Sequence, residues 1–276
     1  MQKQSSHYRF LDSGNGRKLE QFGEYILDRP CSTAVWKKST PDLWESDALF
    51  EREGGKLWKK KPHVPTAWNI EIEGICFRIA PTDFGHLGIF PEQRPFWKWI
   101  RERVRTKKAV RVLNLFAYSG GSTMAAAQGG AHVVHLDASK GMVSWAKENA
   151  LLNNLEKAPI RWIVDDAQKF LQREVRRKSR YDAIILDPPT FGRGNKGELF
   201  KIEEHIVPLL ERCRDLLSDT PLFVLFSCHT PGFSPIVMHN LMKQTFGGGS
   251  IDCGEMVVAG EALPIPSGTF ARLHYD

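Results

Sequence analysis

Short apolar runs alternate with longer mixed segments through the second half of the chain. The runs are Val110 to Phe116, His132 to Leu136, Ile160 to Val164, Tyr181 to Leu186 and Leu222 to Phe226; the segments near 122–128, 140–153, 167–178 and 199–217 have helical length. Strand and helix at this rhythm predict a parallel sheet with helices on both faces. The tail differs. Ile251 to Val258 and Thr269 to Tyr275 read as strands joined by a Gly/Pro-rich connection without a helix, so they can pair antiparallel at the end of the sheet.

The first part of the chain has another texture. Residues 1–30 read as irregular, with Ser13-Gly14-Asn15-Gly16 as a turn cluster. Ala48 to Arg52 and Lys56 to Lys60 read as strands flanking a Glu53-Gly54-Gly55 hairpin loop. Trp68, Ile70 and Ile72 alternate with polar residues, Gly74 interrupts, and Ile75, Phe77 and Ile79 resume, which is the period of a half-buried hairpin. Lys59-Lys60-Lys61 fits a solvated sheet edge. Residues 94–108 predict a linking helix with Phe96, Trp97, Ile100 and Val104 on its apolar stripe. The domains expected are thus a β-rich one over 1–92 and an α/β one over 93–276.

Charge sharpens this division. Residues 1–110 hold 20 Lys and Arg against 14 Asp and Glu, whereas residues 111–276 hold 18 of each. Six of the eight Trp also lie in the first 110 residues, so that part suits either a nucleic-acid partner or a thin β core filled by indoles. No run approaches the length of a membrane-spanning helix, and the start, Met1 to His7, lacks the apolar core of a secretory signal. The five cysteines are scattered and never spaced as Cys-x-x-Cys; neither a disulfide framework nor a metal site is expected, and a reducing cytoplasm is the simplest compartment.

In an open parallel sheet, ligands bind beyond the carboxyl ends of the strands. The first apolar run leads into Ser119-Gly120-Gly121, where glycines permit either close backbone approach to a ligand or tight helix packing; the dinucleotide pattern Gly-x-Gly-x-x-Gly is absent. The second ends at Asp137, whose carboxylate can accept from both hydroxyls of a ribose or cap the next helix. The third ends in Asp165-Asp166-Ala167, suited to an adenine amine or to an N-cap. The fourth runs into Asp187-Pro188-Pro189-Thr190-Phe191, a stiff turn that presents a carboxylate and carbonyls to a flat, amine-bearing ring. The fifth ends in Ser227-Cys228-His229. Cys228 is either a nucleophile for carbon 6 of a pyrimidine, which requires thiolate character, or a small residue ending a buried strand; His229 is a weaker candidate base.

Asn114-Leu115-Phe116-Ala117-Tyr118-Ser119-Gly120-Gly121, Val134 to Lys140, Trp145 to Asn149, Asp165-Asp166-Ala167 and Asp187-Pro188-Pro189-Thr190-Phe191-Gly192 occur in an order that resembles the class I S-adenosylmethionine-dependent methyltransferases, and within them the bacterial 23S ribosomal RNA large-subunit methyltransferase I / K-L group. The resemblance covers roughly residues 90–276. It implies an α/β fold: a Rossmann-like seven-stranded methyltransferase sheet, mostly parallel with the last strand antiparallel, beside a smaller β-rich N-terminal domain. It implies S-adenosyl-L-methionine as cofactor, with Asp137 at the ribose and Asp166-Ala167 at the adenine. Phe116, Ala117, Gly120, Gly121, Ala138, Ser139, Asp187 and, from the preceding loop, Gln93 complete the implied cofactor site. Asp187, Pro188, Pro189 and Cys228 form the catalytic set. The chain departs from the group in lacking a recognisable RNA-binding module of the PUA type and in reading Ser-Cys-His where Ser-Cys-Ser is expected.

The expected activity is methyl transfer to a base of RNA, ribosomal RNA first, at cytosine carbon 5 if Cys228 attacks. Alternatives are a methyltransferase for a small molecule or protein, and a non-methylating nucleotide-binding or NAD-dependent Rossmann protein.

Overall fold

The computed structural model describes residues 7–51, 57–193, 197 and 199–275. The chain forms two compact units, Met1–Arg94 with Val257–Ser267 and Pro95–Met256 with Gly268–Asp276. Val257–Ser267, which the sequence pattern groups with the α/β domain, thus belongs to the first unit.

In the first unit, β1 (Tyr8–Gly14), β2 (Arg17–Phe22), β3 (Tyr25–Pro30), β4 (Ala48–Glu51) and β5 (Leu57–Lys60) form one sheet in that order. The β3–β4 pair is parallel and the other pairs are antiparallel. The irregular reading of residues 1–30 is therefore corrected to three strands over most of this span. The alternation was hidden because inward positions carry charge. Glu20 is fully buried; Tyr8 Oη and Arg29 Nε each donate to its carboxylate at 2.9 Å. Burial alone would raise the Glu20 carboxyl, but Arg29 and Lys18 bring it below its ordinary value. The turn cluster does form a hairpin loop: Asn15 and Gly16, at φ 51 and 74°, connect β1 to β2 with two left-handed residues.

β6 (Trp68–Ile72) and β7 (Ile75–Ile79) pair antiparallel, with Ile70, Ile72, Ile75, Phe77 and Ile79 buried as their period demands. Lys59 and Lys60 lie exposed on β5, an edge strand. The Glu53-Gly54-Gly55 loop falls outside the described residues.

The second unit begins with α1 (Arg94–Arg105) and β8 (Arg111–Leu115), then α2 (Gly121–Gln128), β9 (His132–Asp137), α3 (Lys140–Leu152), β10 (Ile160–Val164), α4 (Ala167–Arg176) and β11 (Ala183–Leu186). A small pair follows, β12 (Phe191–Arg193) with β13 (Leu199–Lys201). Then come α5 (Ile202–Asp215), β14 (Phe223–Cys228), α6 (Pro235–Phe246), β15 (Ser250–Val258) and β16 (Ile265–His274). The last two strands extend into the first unit's Val257–Ser267 segment.

The main sheet has seven strands in the order β10-β9-β8-β11-β14-β16-β15. β8, β9, β10, β11 and β14 pair in parallel, and β16 is antiparallel to β14. Leu113, Leu115, Ile184, Leu186, Val224 and Phe226 meet Phe170, Leu209, Met238 and Met242 in one buried cluster, so α4, α5 and α6 cover the same face. The apolar rhythm missed α6, although Ser234-Pro235 starts it and Met238, Met242 and Thr245 are buried at helical spacing. Leu199–Lys201, expected as helix, is a strand held by Phe191–Arg193. Among the described residues no helix is long and apolar enough to cross a membrane.

Candidate active site

Strand register sets the carboxyl edge of the sheet. Leu115 pairs with both Leu136 and Leu186, Leu186 pairs with Phe226, and Val164 pairs with Asp137. The residues just beyond these pairs, Phe116, Asp137, Asp165, Asp187 and Ser227, therefore lie along one edge. Five of the strand-end segments read from the sequence are brought together there.

Asp137 is half-buried, and it ties two loops. Its Oδ2 accepts from Tyr118 N at 2.9 Å and its Oδ1 from Ser139 N at 2.8 Å. Burial raises this carboxyl above its ordinary value against the opposing pull of those two N–H groups. Capping of α3 falls to Ser139, whose Oγ accepts from Met142 N at 3.3 Å. Asp137 is thus left with its remaining lone pairs at the strand end, as a ribose acceptor requires. Asp166 does cap α4, accepting from Lys169 N at 2.9 Å through Oδ1, while Ala167 is buried beside it. Ala138 is half-buried and Ser139 exposed.

The loop after β8 is held in an uncommon backbone form. Phe116, Tyr118 and Gly120 have φ of 54, 51 and 93°. Non-glycine residues adopt this region at a cost, so surrounding contacts must hold them. Asn149, fully buried in α3, donates to Ser119 O at 2.9 Å, and Ala117 N donates to Leu136 O at 3.0 Å. Beneath the loop, Asn114 Nδ2 donates to Thr123 Oγ1 at 2.9 Å, and Thr123 Oγ1 lies 2.9 Å from His135 Nδ1. Burial lowers His135 to about 3, so the ring is neutral at physiological pH. Sequence reasoning gave Asn114, Thr123, His135 and Asn149 no role. The available signal was a polar residue inside each of two otherwise apolar strands.

The two glycines answer to packing. A Cβ on Gly121 would lie 2.8 Å from carbons of the Trp97 ring, and one on Gly120 would meet Met124 Cε at 3.0 Å. Close contact with side chains of the neighbouring helices accounts for both, so neither is a ligand signal in itself. Gln93 is buried in a single turn, Pro91–Gln93, of the first unit.

At the other strand ends, His229 Nε2 lies 3.6 Å from Asp187 Oδ2. Pro188 is buried and Pro189 exposed, and Thr190 Oγ1 is 2.9 Å from Thr230 Oγ1. Cys228 is 1% exposed and forms part of the apolar cluster. Burial pushes its thiol up; Thr230 N, donating to Sγ at 3.4 Å, lowers it, and Asp187 and Glu203 raise it further. A covalent role needs the thiolate, and these surroundings favour the thiol. The sequence expectation of an activated Cys228 meets that obstacle.

Taken as a donor set, the edge offers carboxylates for hydroxyls and an amine, and the Asn114–Gly121 segment contains no Lys or Arg to meet a pyrophosphate. The set fits a nucleoside without phosphates better than a dinucleotide. The profile of the S-adenosylmethionine-dependent methyltransferase family matches residues 54–241. The ribosomal RNA large subunit methyltransferase I of Shigella boydii is 30% identical over 261 residues, covering 88% of this chain and 63% of that protein. The ribosomal RNA large subunit methyltransferase K/L of Marinobacter nauticus is 30% identical over 175 residues, 62% of this chain and 23% of its own length. The chain thus spans less than two thirds of these curated relatives. A crystal structure of a SAM-dependent methyltransferase from Agrobacterium tumefaciens is 40% identical, with a TM-score of 0.93, covering 98% of this chain and 92% of that one.

Proposed function

Because the chain belongs to the S-adenosylmethionine-dependent methyltransferase family, we propose that it transfers a methyl group to a base of RNA, with ribosomal RNA as the first candidate. The observation that carries the site assignment is the register that aligns Asp137, Asp165-Asp166 and Asp187 along one sheet edge. The RNA reading is supported by the names of two relatives and by the basic balance of residues 1–110.

When bound, S-adenosylmethionine supplies a methyl group already activated on a sulfonium. The chain's work is then positioning. Asp137 accepts from the ribose hydroxyls, Asp166 and Ala167 border the adenine, and Phe116, Ala117, Gly120, Gly121, Ala138 and Ser139 complete the surround. Asp187 and the carbonyls of Pro188 and Pro189 grip the edge of a base turned out of its stack. The proton displaced from the base passes to the Asp187–His229 pair. No covalent bond to Cys228 is required on this route, in keeping with its raised thiol.

Transfer of tritiated methyl groups from S-adenosylmethionine to deproteinised ribosomal RNA tests the reading. Label in RNA that disappears in Asp187→Ala is the expected result. Label absent from RNA and present in a small molecule or protein acceptor would overturn the substrate class while leaving the cofactor assignment intact.

A further inference from the structure

Between α4 and α5 lies a cavity of about 180 Å³, lined among others by Asp166, Gln168, Lys169, Gln172, His205 and Arg212. It starts at the carboxyl edge, because Asp166 caps α4 there. None of the roles assigned above uses its basic side chains. Lys169 and Arg212 outnumber Asp166, whose Oδ1 is already bound to a backbone N–H. Arg212 Nη1 is buried without a hydrogen-bond partner among the described residues. A guanidinium only donates, and a buried donor calls for an acceptor. Gln168 and Gln172 add amide groups one helical turn apart. His205 lines the cavity with its ring fixed: Nδ1 lies 3.0 Å from Lys201 N and 2.8 Å from Lys201 O, and the ring stacks on Phe200 with centroids 5.5 Å apart.

Two cations, neutral donors and an orphaned guanidinium nitrogen suit a compact anion with several acceptor oxygens. We propose that this groove holds a backbone phosphate of the acceptor RNA. The proposal rests on the RNA reading above and deepens it. Beside the Asp166 end of the cofactor site, such a contact fixes where the strand lies and leaves the choice of base to Asp187.

Binding of a short single-stranded oligoribonucleotide across a salt series provides the test. Loss of one phosphate contact lowers the slope of log affinity against log salt by about 0.7. That decrease, with several-fold weaker binding, is expected for Lys169→Gln/Arg212→Gln. Lys157→Gln, an exposed lysine in the loop before β10, keeps the wild-type slope. A thermal shift with S-adenosylhomocysteine reports whether the double variant is folded. Should it not be, Lys169→Glu alone, which alters only an exposed side chain, must still reduce affinity and slope. An unchanged slope in folded variants, with wild type binding RNA, overturns the phosphate site and spares the RNA reading. Failure of wild type to bind at low salt overturns both. Stabilisation by inorganic phosphate that the double variant lacks, with RNA binding unaltered, assigns the groove to free phosphate and likewise overturns the proposal.

Discussion

Replacing Asp137 by Asn removes the charge that the ribose hydroxyls would meet. Charge-assisted bonds of this kind contribute roughly 1.5–3 kcal/mol, so affinity for S-adenosylhomocysteine should drop at least tenfold by calorimetry. Because burial raises the Asp137 carboxyl above 3.8, affinity should also fall on acidification before an ordinary carboxylate would protonate, and Asp137→Asn should flatten that dependence. The stability sign is opposite. Between 3.8 and the raised value the folded state holds a proton that the unfolded chain has lost, so this group makes stability decrease as pH rises through that window. His135 acts the other way. Its folded value of about 3 lies below its ordinary 6.5, so the unfolded chain takes up a proton first and stability declines as pH falls from 6.5. The slope from one such group approaches about 1.4 kcal/mol per pH unit. Urea titrations of wild type and His135→Gln between pH 7 and about 4.5 should show the contribution vanish with the imidazole. Cys228→Ser should retain methyl transfer within several-fold; loss of all transfer by a folded variant would restore the covalent route. Asp137 and Asp187 were legible because each ends an apolar run. The support of the loop by Asn149 and Thr123 was not, since those partners are 30 and 9 residues away along the chain.

Helix α2 enters at Gly121 against the Trp97 ring of α1. On propensity alone Gly121→Ala would stabilise a helix by about 1 kcal/mol, but the Cβ would sit 2.8 Å from the indole. Overpacking of that kind costs about 1–3 kcal/mol, so a lower melting temperature is expected. A smaller ring in Trp97→Phe should return part of the loss, which a double-mutant cycle would measure. At this scale the parallel strands were legible because their near-continuous apolar runs match a sheet covered on both faces. β1, β2 and β3 were not, because Asp12, Glu20, Asp28 and Arg29 occupy buried positions and break the alternation. The Glu20–Arg29 pair replaces an apolar contact that the eye would have found.

For the whole chain, S-adenosylhomocysteine should raise the melting temperature while NAD leaves it unchanged, since only a ligand bound by the folded state stabilises it. Equal shifts would argue against the phosphate-free character of the edge. The division into a neutral and a basic portion was legible from charge alone. The return of Val257–Ser267 to the first unit was not, because local pattern carries no record of which unit a connecting segment joins. In the main sheet, β16 lies between β14 and β15, though β15 precedes it in the chain. During synthesis on the ribosome, β14 and β15 are therefore both available before the strand that separates them. Direct pairing of those two would close the slot, and β16 could then enter only by prising them apart. Productive folding thus requires that β15 wait, unpaired with β14, until β16 has emerged.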